Sequence, residues 1–351
     1  MLGILKEAGS MAYDIDTAKA LVIQAGNDMI KKGLIARTWG NISARISPTH
    51  FVITPSGRAY DTLTPEDLVV VRIEDASFEG DRRPSSEVHL HAGVYALRSD
   101  ASFLIHTHQS YASAIGVLGE DLRPQQMEPS SASSEERQVL GDCVPCAAYG
   151  LSSTKKLARM VADAVRRHEG CKAVLLRYHG VLSIGSDQEE AYRIADALEA
   201  VCERRYQAVC GDLIPKEAGK CQMHDLDDRY VIHTRTPFVM AMSRRGETLR
   251  PYIDDVAQIA GTRIYCLQAA PSMKALRRAL HGRDAVLLRD DGALCCGSSR
   301  DEAEALCLVL EKGCQAALLG TLCGREPVDP ISAAKERWFY VKKYAARKNA
   351  R

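Results

Sequence analysis

Phe103-Leu104-Ile105-His106-Thr107-His108 is an apolar run that closes on two histidines. It reads as a buried strand, and on a strand residues i and i+2 project from the same face, so the imidazoles of His106 and His108 aim at one point. A convergent pair needs a third partner to hold a metal firmly. His179 is the candidate, at the end of a second apolar strand, Val174-Leu175-Leu176-Arg177-Tyr178-His179-Gly180.

Upstream, Ala18, Leu21, Val22, Ala25, Met29 and Ile30 recur at helical spacing, which predicts a helix over 16–33 with Gly33 as its stop. Thr38-Trp39-Gly40-Asn41-Ile42-Ser43 then leads into the alternating Ala44-Arg45-Ile46, and Phe51-Val52-Ile53 runs into Thr54-Pro55-Ser56-Gly57. Small hydroxyl and amide residues at two glycine-bearing turns suit an anion, because backbone N–H groups approach closely where there is no side chain. Ordinary hairpin chemistry explains the same residues. Pro84-Ser85-Ser86-Glu87 shifts the balance: serine ahead of an apolar-periodic stretch ending at Leu97 is a helix-start signature, and free N–H groups at a helix start are a site for phosphate. Glu87 is then expected in the first turn, where a carboxylate can also do no more than complement the helix dipole. His89 and His91 form another i, i+2 pair, but on a helix such residues do not face each other, so they make a poor metal clamp.

Downstream, the polar segment Gln125 to Arg137 has no assignable periodicity and is expected to be a mobile loop over a site. Residues 154–168 read as a helix, 172–178 as a strand and 188–209 as a long helix with Asp187, Glu189 and Glu190 at its start, where acids are favoured. Strands alternating with helices predict a layered α/β fold around a central sheet.

A chain of 351 residues is long enough for one large or two medium domains. The net charge of +1 and the interspersed acids and bases show no nucleic-acid footprint and no polybasic membrane anchor. Lys6, Glu7, Asp14 and Asp16 interrupt any signal-peptide core, and no apolar run is expected to reach the roughly 20 residues of a membrane span. The expected location is the cytoplasm, where the twelve cysteines would be reduced and buried as small hydrophobes. Cys143-Val144-Pro145-Cys146 is a lone CxxC without a partner motif, and Cys295-Cys296 is placed in a strand.

Beyond a polar join from Lys216 to Asp228 the chain repeats itself. Ala285-Val286-Leu287-Leu288-Arg289-Asp290-Asp291-Gly292-Ala293-Leu294 parallels Ala173-Val174-Leu175-Leu176-Arg177-Tyr178-His179-Gly180-Val181-Leu182. Gly246-Glu247-Thr248-Leu249-Arg250-Pro251 echoes Gly119-Glu120-Asp121-Leu122-Arg123-Pro124, and at that offset His233-Thr234-Arg235 falls on His106-Thr107-His108. Two of the three candidate ligands are replaced, Arg235 for His108 and Asp291 for His179. A guanidinium aimed into such a site repels a divalent cation, so the second copy, which also lacks a match to Ser85-Ser86-Glu87, is expected to be metal-free.

Gly40-Asn41, Thr54-Pro55-Ser56-Gly57, Ser85-Ser86-Glu87, His106-Thr107-His108 and His179-Gly180 together resemble the class II aldolase/adducin family, most closely its L-fuculose-1-phosphate aldolase branch, in the same order over residues 15 to 211. The resemblance implies a three-layer α/β/α sandwich, a homotetramer with sites between subunits, and Zn²⁺ or another divalent cation such as Mn²⁺ or Co²⁺. By position it makes His106, His108 and His179 the metal ligands and Glu87 the catalytic acid/base. It carries phosphate contacts onto Thr38, Asn41, Ser56, Gly57, Ser85 and Ser86. The expected domains are a catalytic domain over 1–215, a degenerate metal-free repeat of its second half over 229–323, and a helical tail over 324–351.

Residue chemistry runs the same way. Three neutral imidazoles leave a coordination position open, as catalytic zinc requires. The metal would stabilise an enediolate as a Lewis acid, and Glu87, shifted toward neutral by partial burial, would exchange the proton with it. The aldolase branch uses a tyrosine after the HxH strand to help protonate the aldehyde oxygen, whereas here Gln125-Gln126-Met127-Glu128-Pro129 has none. The expected function is a metal-dependent aldehyde-lyase that cleaves a phosphorylated ketose such as L-fuculose 1-phosphate into dihydroxyacetone phosphate and an aldehyde. A decarboxylase or dehydratase of a phosphorylated sugar acid or ketose is the alternative on the same site, and a non-catalytic adducin-like binding module is the alternative of another class.

Overall fold

In the computed structural model the Phe103 run is the middle strand of a seven-stranded sheet. The structure describes residues 4–7, 10–34, 39–215, 219, 221–226 and 229–342, and the chain divides into two units, 1–204 and 205–351.

The first unit opens with a two-stranded hairpin, β1 Ile4–Glu7 and β2 Ser10–Tyr13, and helix α1 Ile15–Lys31. Strands β3 Asn41–Arg45, β4 His50–Ile53 and β5 Val69–Arg72 follow, then helix α2 Val88–Leu97, strand β6 Phe103–Thr107, and helices α3 Ser110–Gly116 and α4 Ser134–Leu140. Strand β7 Cys146–Ala147, helix α5 Lys155–Arg167, strands β8 Ala173–Leu176 and β9 Gly180–Gly185, and helix α6 Gln188–Cys210 complete the order. The sheet runs β5-β4-β3-β6-β9-β8-β7, antiparallel throughout except for the β7–β8 pair. On β6, Phe103 and Ile105 pack with Ala18, Val22 and Met29 of α1 and Ala191 and Ala195 of α6. Leu104 packs on the other side with residues of α2 and α5. Helices therefore cover both faces, which is the expected three-layer sandwich. Phe103, Leu104 and Ile105 are fully buried, each contributing about 1.5–3 kcal/mol by leaving water, and this anchors the strand that carries His106 on the α2/α5 side.

Helix α1 starts where Asp14 accepts a bond from the Thr17 N–H at 2.9 Å and ends before Gly33, whose φ of +72° breaks it. Arg45, in the alternating run after β3's start, is buried: its Nε donates to the Ala101 carbonyl and its Nη2 to the Tyr95 and Arg98 carbonyls, all at 2.8 Å. It closes the C-terminal end of α2. The segment Gln125–Arg137, expected to be irregular, instead contains a 3-10 turn, Pro124–Gln126, and the start of α4. Ser133 and Glu136 form a capping box there, with Ser133 Oγ accepting from the Glu136 N–H at 3.2 Å and Glu136 Oε2 accepting from the Ser133 N–H at 2.8 Å. The expected strand over 172–178 stops at Leu176; Arg177-Tyr178-His179 is a tight turn, with Tyr178 at φ +62°, and β9 begins at Gly180. His179 thus sits on a hairpin corner rather than at the end of a strand.

The second unit contains strands β10 Gln222–Leu226 and β11 Arg229–Thr234, helix α7 Pro237–Arg245, strand β12 Cys266–Leu267, and helix α8 Met273–Leu280. Strands β13 Ala285–Leu288 and β14 Gly292–Gly297 and helices α9 Arg300–Leu322 and α10 Pro330–Tyr340 follow. Its sheet order, β10-β11-β14-β13-β12, reproduces β3-β6-β9-β8-β7. The registers agree as well: His106 opposes Leu182 as His233 opposes Leu294, and Ala173 opposes Ser183 as Ala285 opposes Cys295. Even the left-handed corner recurs, at Asp290 with φ +57°. The copied sheet starts at β10, before the expected boundary at 229, because β10 pairs with β11 as β3 pairs with β6 in the first unit. α9 is long and apolar enough to cross a membrane, against the expectation that no run would be, and 67% of that apolar window is buried within the fold; Leu306, Val309, Leu310 and Cys314 make it the unit's core helix. Among the described residues no cysteine forms a disulfide, and Cys295 and Cys296 lie in β14 as expected. α10 supplies the expected helix of the tail, of which 343–351 lie outside the described residues.

Candidate metal centre

Strand β6 delivers His106 and, one residue past its end, His108, and the β8–β9 corner delivers His179. One nitrogen of each lies within 4.8 Å of the others. His106 and His179 are buried and stack at 5.0 Å with an interplanar angle of 10°, while His108 is half-buried and meets both edge-on. The His106 Nδ1–H donates to the Val181 carbonyl on β9 at 2.8 Å, which leaves the Nε2 lone pair facing His108 Nε2 at 3.1 Å. A ring oriented by a backbone carbonyl on one nitrogen and open on the other is the usual setting of a metal-ligating histidine. Two imidazole nitrogens that close share a proton or a cation, so the donor set fits a divalent ion. Gly180 is required beside them: a Cβ there would lie 2.5 Å from the Thr107 carbonyl oxygen, 3.1 Å from His106 Cε1 and 3.2 Å from His108 Cδ2.

Glu87 occupies the cap position of α2 rather than its first turn, and makes no side-chain cap bond. Its carboxylate turns inward instead, with Oε2 3.1 Å from His106 Nε2 and Oε1 2.9 Å from His179 Nε2. Asn41 Nδ2 donates to Oε2 at 3.0 Å. Burial pushes the Glu87 carboxyl up, but His106 and His179 outweigh it and hold the group well below the usual carboxylate range. The shift toward neutral expected from burial is therefore opposed by the two imidazoles.

The two anion-type turns meet. Pro55 and Pro84 form a bridge, the Ser56 N–H donates to the Arg83 carbonyl at 3.1 Å, and the Ser85 N–H donates to the Thr54 carbonyl at 3.0 Å. Ser56 and Gly57 are thereby placed next to Ser85 and Ser86, and the Glu87 N–H donates to Ser85 Oγ at 3.3 Å. Gly57 has φ +74° with open space around it. Asn41, expected at the phosphate, spends its side chain on Glu87 and on His91, whose Nε2 lies 2.5 Å from Asn41 Oδ1. Thr38 lies outside the described residues. Ser153 was not singled out by sequence reasoning; it donates to Ser86 Oγ at 2.8 Å from the turn that opens α5, with φ +59°.

Glu199 on α6 was also missed. Its carboxylate accepts from the Tyr111 and Ala112 N–H groups at 2.8 and 2.9 Å and from Gln109 Nε2 at 3.3 Å, holding the start of α3 and with it the backbone just after His108. The repeat offered the signal, because Glu311 does the same in the second unit toward Phe238 N–H, Val239 N–H and the Thr236 hydroxyl. The three-imidazole donor set is not copied. Arg235 donates from Nε and Nη2 to Asp291 Oδ1 at 2.8 and 2.6 Å, and His233 Nε2 donates to the Asp291 carbonyl at 2.6 Å. An ion pair fills the place of the ligands. In the lone CxxC, burial pushes the Cys146 thiol up to about 12, which keeps it out of thiolate chemistry.

The chain matches the family model described as Class II Aldolase and Adducin N-terminal domain over residues 20–206 and again over 221–318. A 5-deoxy-D-ribulose 1-phosphate aldolase of Bacillus thuringiensis serovar kurstaki is 34% identical over 187 residues, 53% of this chain and 83% of that protein. An L-fuculose phosphate aldolase of Escherichia coli is 29% identical over 182 residues, 52% of this chain and 79% of that protein. Among solved structures, an L-fuculose-1-phosphate aldolase of Thermus thermophilus is 32% identical, covering 56% of this chain and 96% of the other at a TM-score of 0.45. With the family domain matched over most of its length, and matched twice, the chain belongs to the class II aldolase family.

Proposed function

We propose that the protein is a metal-dependent aldehyde-lyase that cleaves a phosphorylated ketose, such as L-fuculose 1-phosphate, into dihydroxyacetone phosphate and an aldehyde. The observation that carries this reading is the convergence of three imidazole nitrogens with the Glu87 carboxyl group in one corner of the sheet. His106, His108 and His179 would hold the ion, Zn²⁺ or alternatively Mn²⁺ or Co²⁺, and when bound it supplies Lewis-acid polarisation of the ketose oxygens. In the cleavage direction the carbon–carbon bond breaks with its electron pair left on the ketone fragment. Glu87 first takes up the proton released by the hydroxyl beside the breaking bond and then delivers it to that carbon, and in the condensation direction its carboxylate removes the same proton. The turns at Ser56, Gly57, Ser85 and Ser86, with Thr38 of the expected set, seat the phosphate and so fix the reacting carbons relative to Glu87, while Asn41 is engaged by Glu87 and His91 instead. Gln125–Pro129 offers no tyrosine for that first transfer. A homotetramer in the cytoplasm acting on a small phosphorylated sugar is part of the same reading.

Purification without chelator, followed by metal analysis and a panel of ketose phosphates and sugar-acid phosphates assayed for aldehyde or carbon dioxide release, tests it. His108→Ala should remove metal and turnover while the protein stays folded. Less than about a tenth of an equivalent of divalent metal per chain, or full turnover by His108→Ala, would overturn the proposal and favour a binding module. Carbon dioxide release would favour the decarboxylase.

A further inference from the structure

We infer that His91 is a positioning residue for Glu87, acting through Asn41 at the end of a buried hydrogen-bond chain that begins at Ser43. The inference rests on the reading of Glu87 as the acid/base.

His91 stands one helical turn after Glu87 on α2, and side chains of a helix lean toward its N-terminus, so the ring lies over the turn that carries Glu87. It is fully buried. A core histidine with no further role needs only to satisfy its polar atoms. Here both nitrogens meet side chains from one strand, Nδ1 to Ser43 Oγ at 2.7 Å and Nε2 to Asn41 Oδ1 at 2.5 Å. Asn41 and Ser43 are i and i+2 on β3 and so share the face turned to α2.

The orientation of the Asn41 amide fixes the directions in this chain. Its nitrogen only donates and its oxygen only accepts, and Nδ2–H faces Glu87 Oε2 at 3.0 Å. The amide oxygen then faces His91, which must carry its proton on Nε2. The Nδ1 lone pair in turn accepts from the Ser43 hydroxyl. Ser43 Oγ also lies 3.0 Å from the Tyr95 hydroxyl, which extends the chain to the far end of α2. In a low-dielectric interior such a chain is stiffened by mutual polarisation. An amide does not pass a proton along, so the chain holds Glu87 in place and does not conduct. His106 and His179 contact the same carboxylate, but their Nε2 atoms are the ones a metal would take. Asn41 is a partner that a metal leaves alone, and His91 sets which way its amide faces.

The test uses the full-length protein in His91→Leu, His91→Gln, Ser43→Ala and Glu87→Gln forms. His91→Leu should keep its metal and its KM within about threefold while kcat falls about 10–100-fold, as for loss of an orienting partner. His91→Gln, whose amide nitrogen can still donate to Asn41, should recover most of that loss. Ser43→Ala, a milder change, should lower kcat in the same direction should His91→Leu fail to fold. Nitrogen-15 NMR of the wild-type ring should show the Nε2–H tautomer. An Nδ1–H tautomer, or an unchanged kcat in folded His91→Leu with Glu87→Gln inactive, overturns the inference. An active Glu87→Gln removes the acid/base reading itself, whatever His91 does.

Discussion

Gly180→Ala tests how the three histidines are brought together. The added Cβ would stand 2.5 Å from the Thr107 carbonyl oxygen, with His106 Cε1 and His108 Cδ2 at 3.1 and 3.2 Å. Carbon and carbonyl oxygen settle at about 3.3 Å or more, so β6 and β9 must part by roughly 0.8 Å. The clash falls beside the Thr107–Val181 pair, between His106 and His108. Overpacking of this kind costs about 1–3 kcal/mol, which a folded unit survives. Metal–ligand distances, in contrast, tolerate only about 0.2 Å. The expected result is therefore a small loss of melting temperature and a metal affinity lower by at least about 10–100-fold, read by chelator competition on folded protein. The repeat supplies the control. At Gly292 a Cβ would lie 2.1 Å from the Thr234 carbonyl oxygen, at a φ of +84° that also strains an alanine. Gly292→Ala should cost as much stability or more and leave metal content unchanged. A folded Gly180→Ala protein that binds a full equivalent at wild-type affinity would refute the reasoning.

Asp291→Asn leaves Arg235 partly buried without its counter-charge and should destabilise the protein by about 1–2 kcal/mol in urea titration, with metal stoichiometry unaffected. Asp67 should make the fold sensitive to acid. Burial raises its carboxyl, but the Thr64 N–H and then Arg58 and Arg82 outweigh this and hold it below the ordinary value. A folded-state pKa below the unfolded one contributes stability above about pH 4 that is lost as pH falls through the depressed value. Asp67→Asn should flatten the fall of the urea midpoint between pH 5 and pH 3; an unchanged slope would assign that loss elsewhere.

Much of the architecture was legible because it is written in local periodicity. α1, α5 and α6 follow their apolar spacing to within two residues, and the repeat was visible in Ala285–Leu294 before any strand was placed. α4 was missed although its capping box, Ser133 to Glu136, stands in the sequence; the polar residues around it mask the signal. β10 was missed because Gln-Met-His-Asp-Leu has no strand alternation, and only pairing with β11 makes it a strand. The serine cap expected at Ser86 yielded to Glu87, since packing of α2 against β3 carries the carboxylate inward.

The sequence by itself determined that His106 and His108 share a face, because the two-residue period of a strand is a property of the local backbone. It also determined that His179 belongs with them and that Arg235 and Asp291 stand at the positions of His108 and His179, because the duplication compares like positions. Only the tertiary structure decided where Glu87 points. Its direction depends on Asn41 of β3, brought face to face with α2 by core packing, and the downward pull on its carboxyl on two rings from β6 and the β8–β9 corner. Neither dependence leaves a trace in the spacing of residues along the chain.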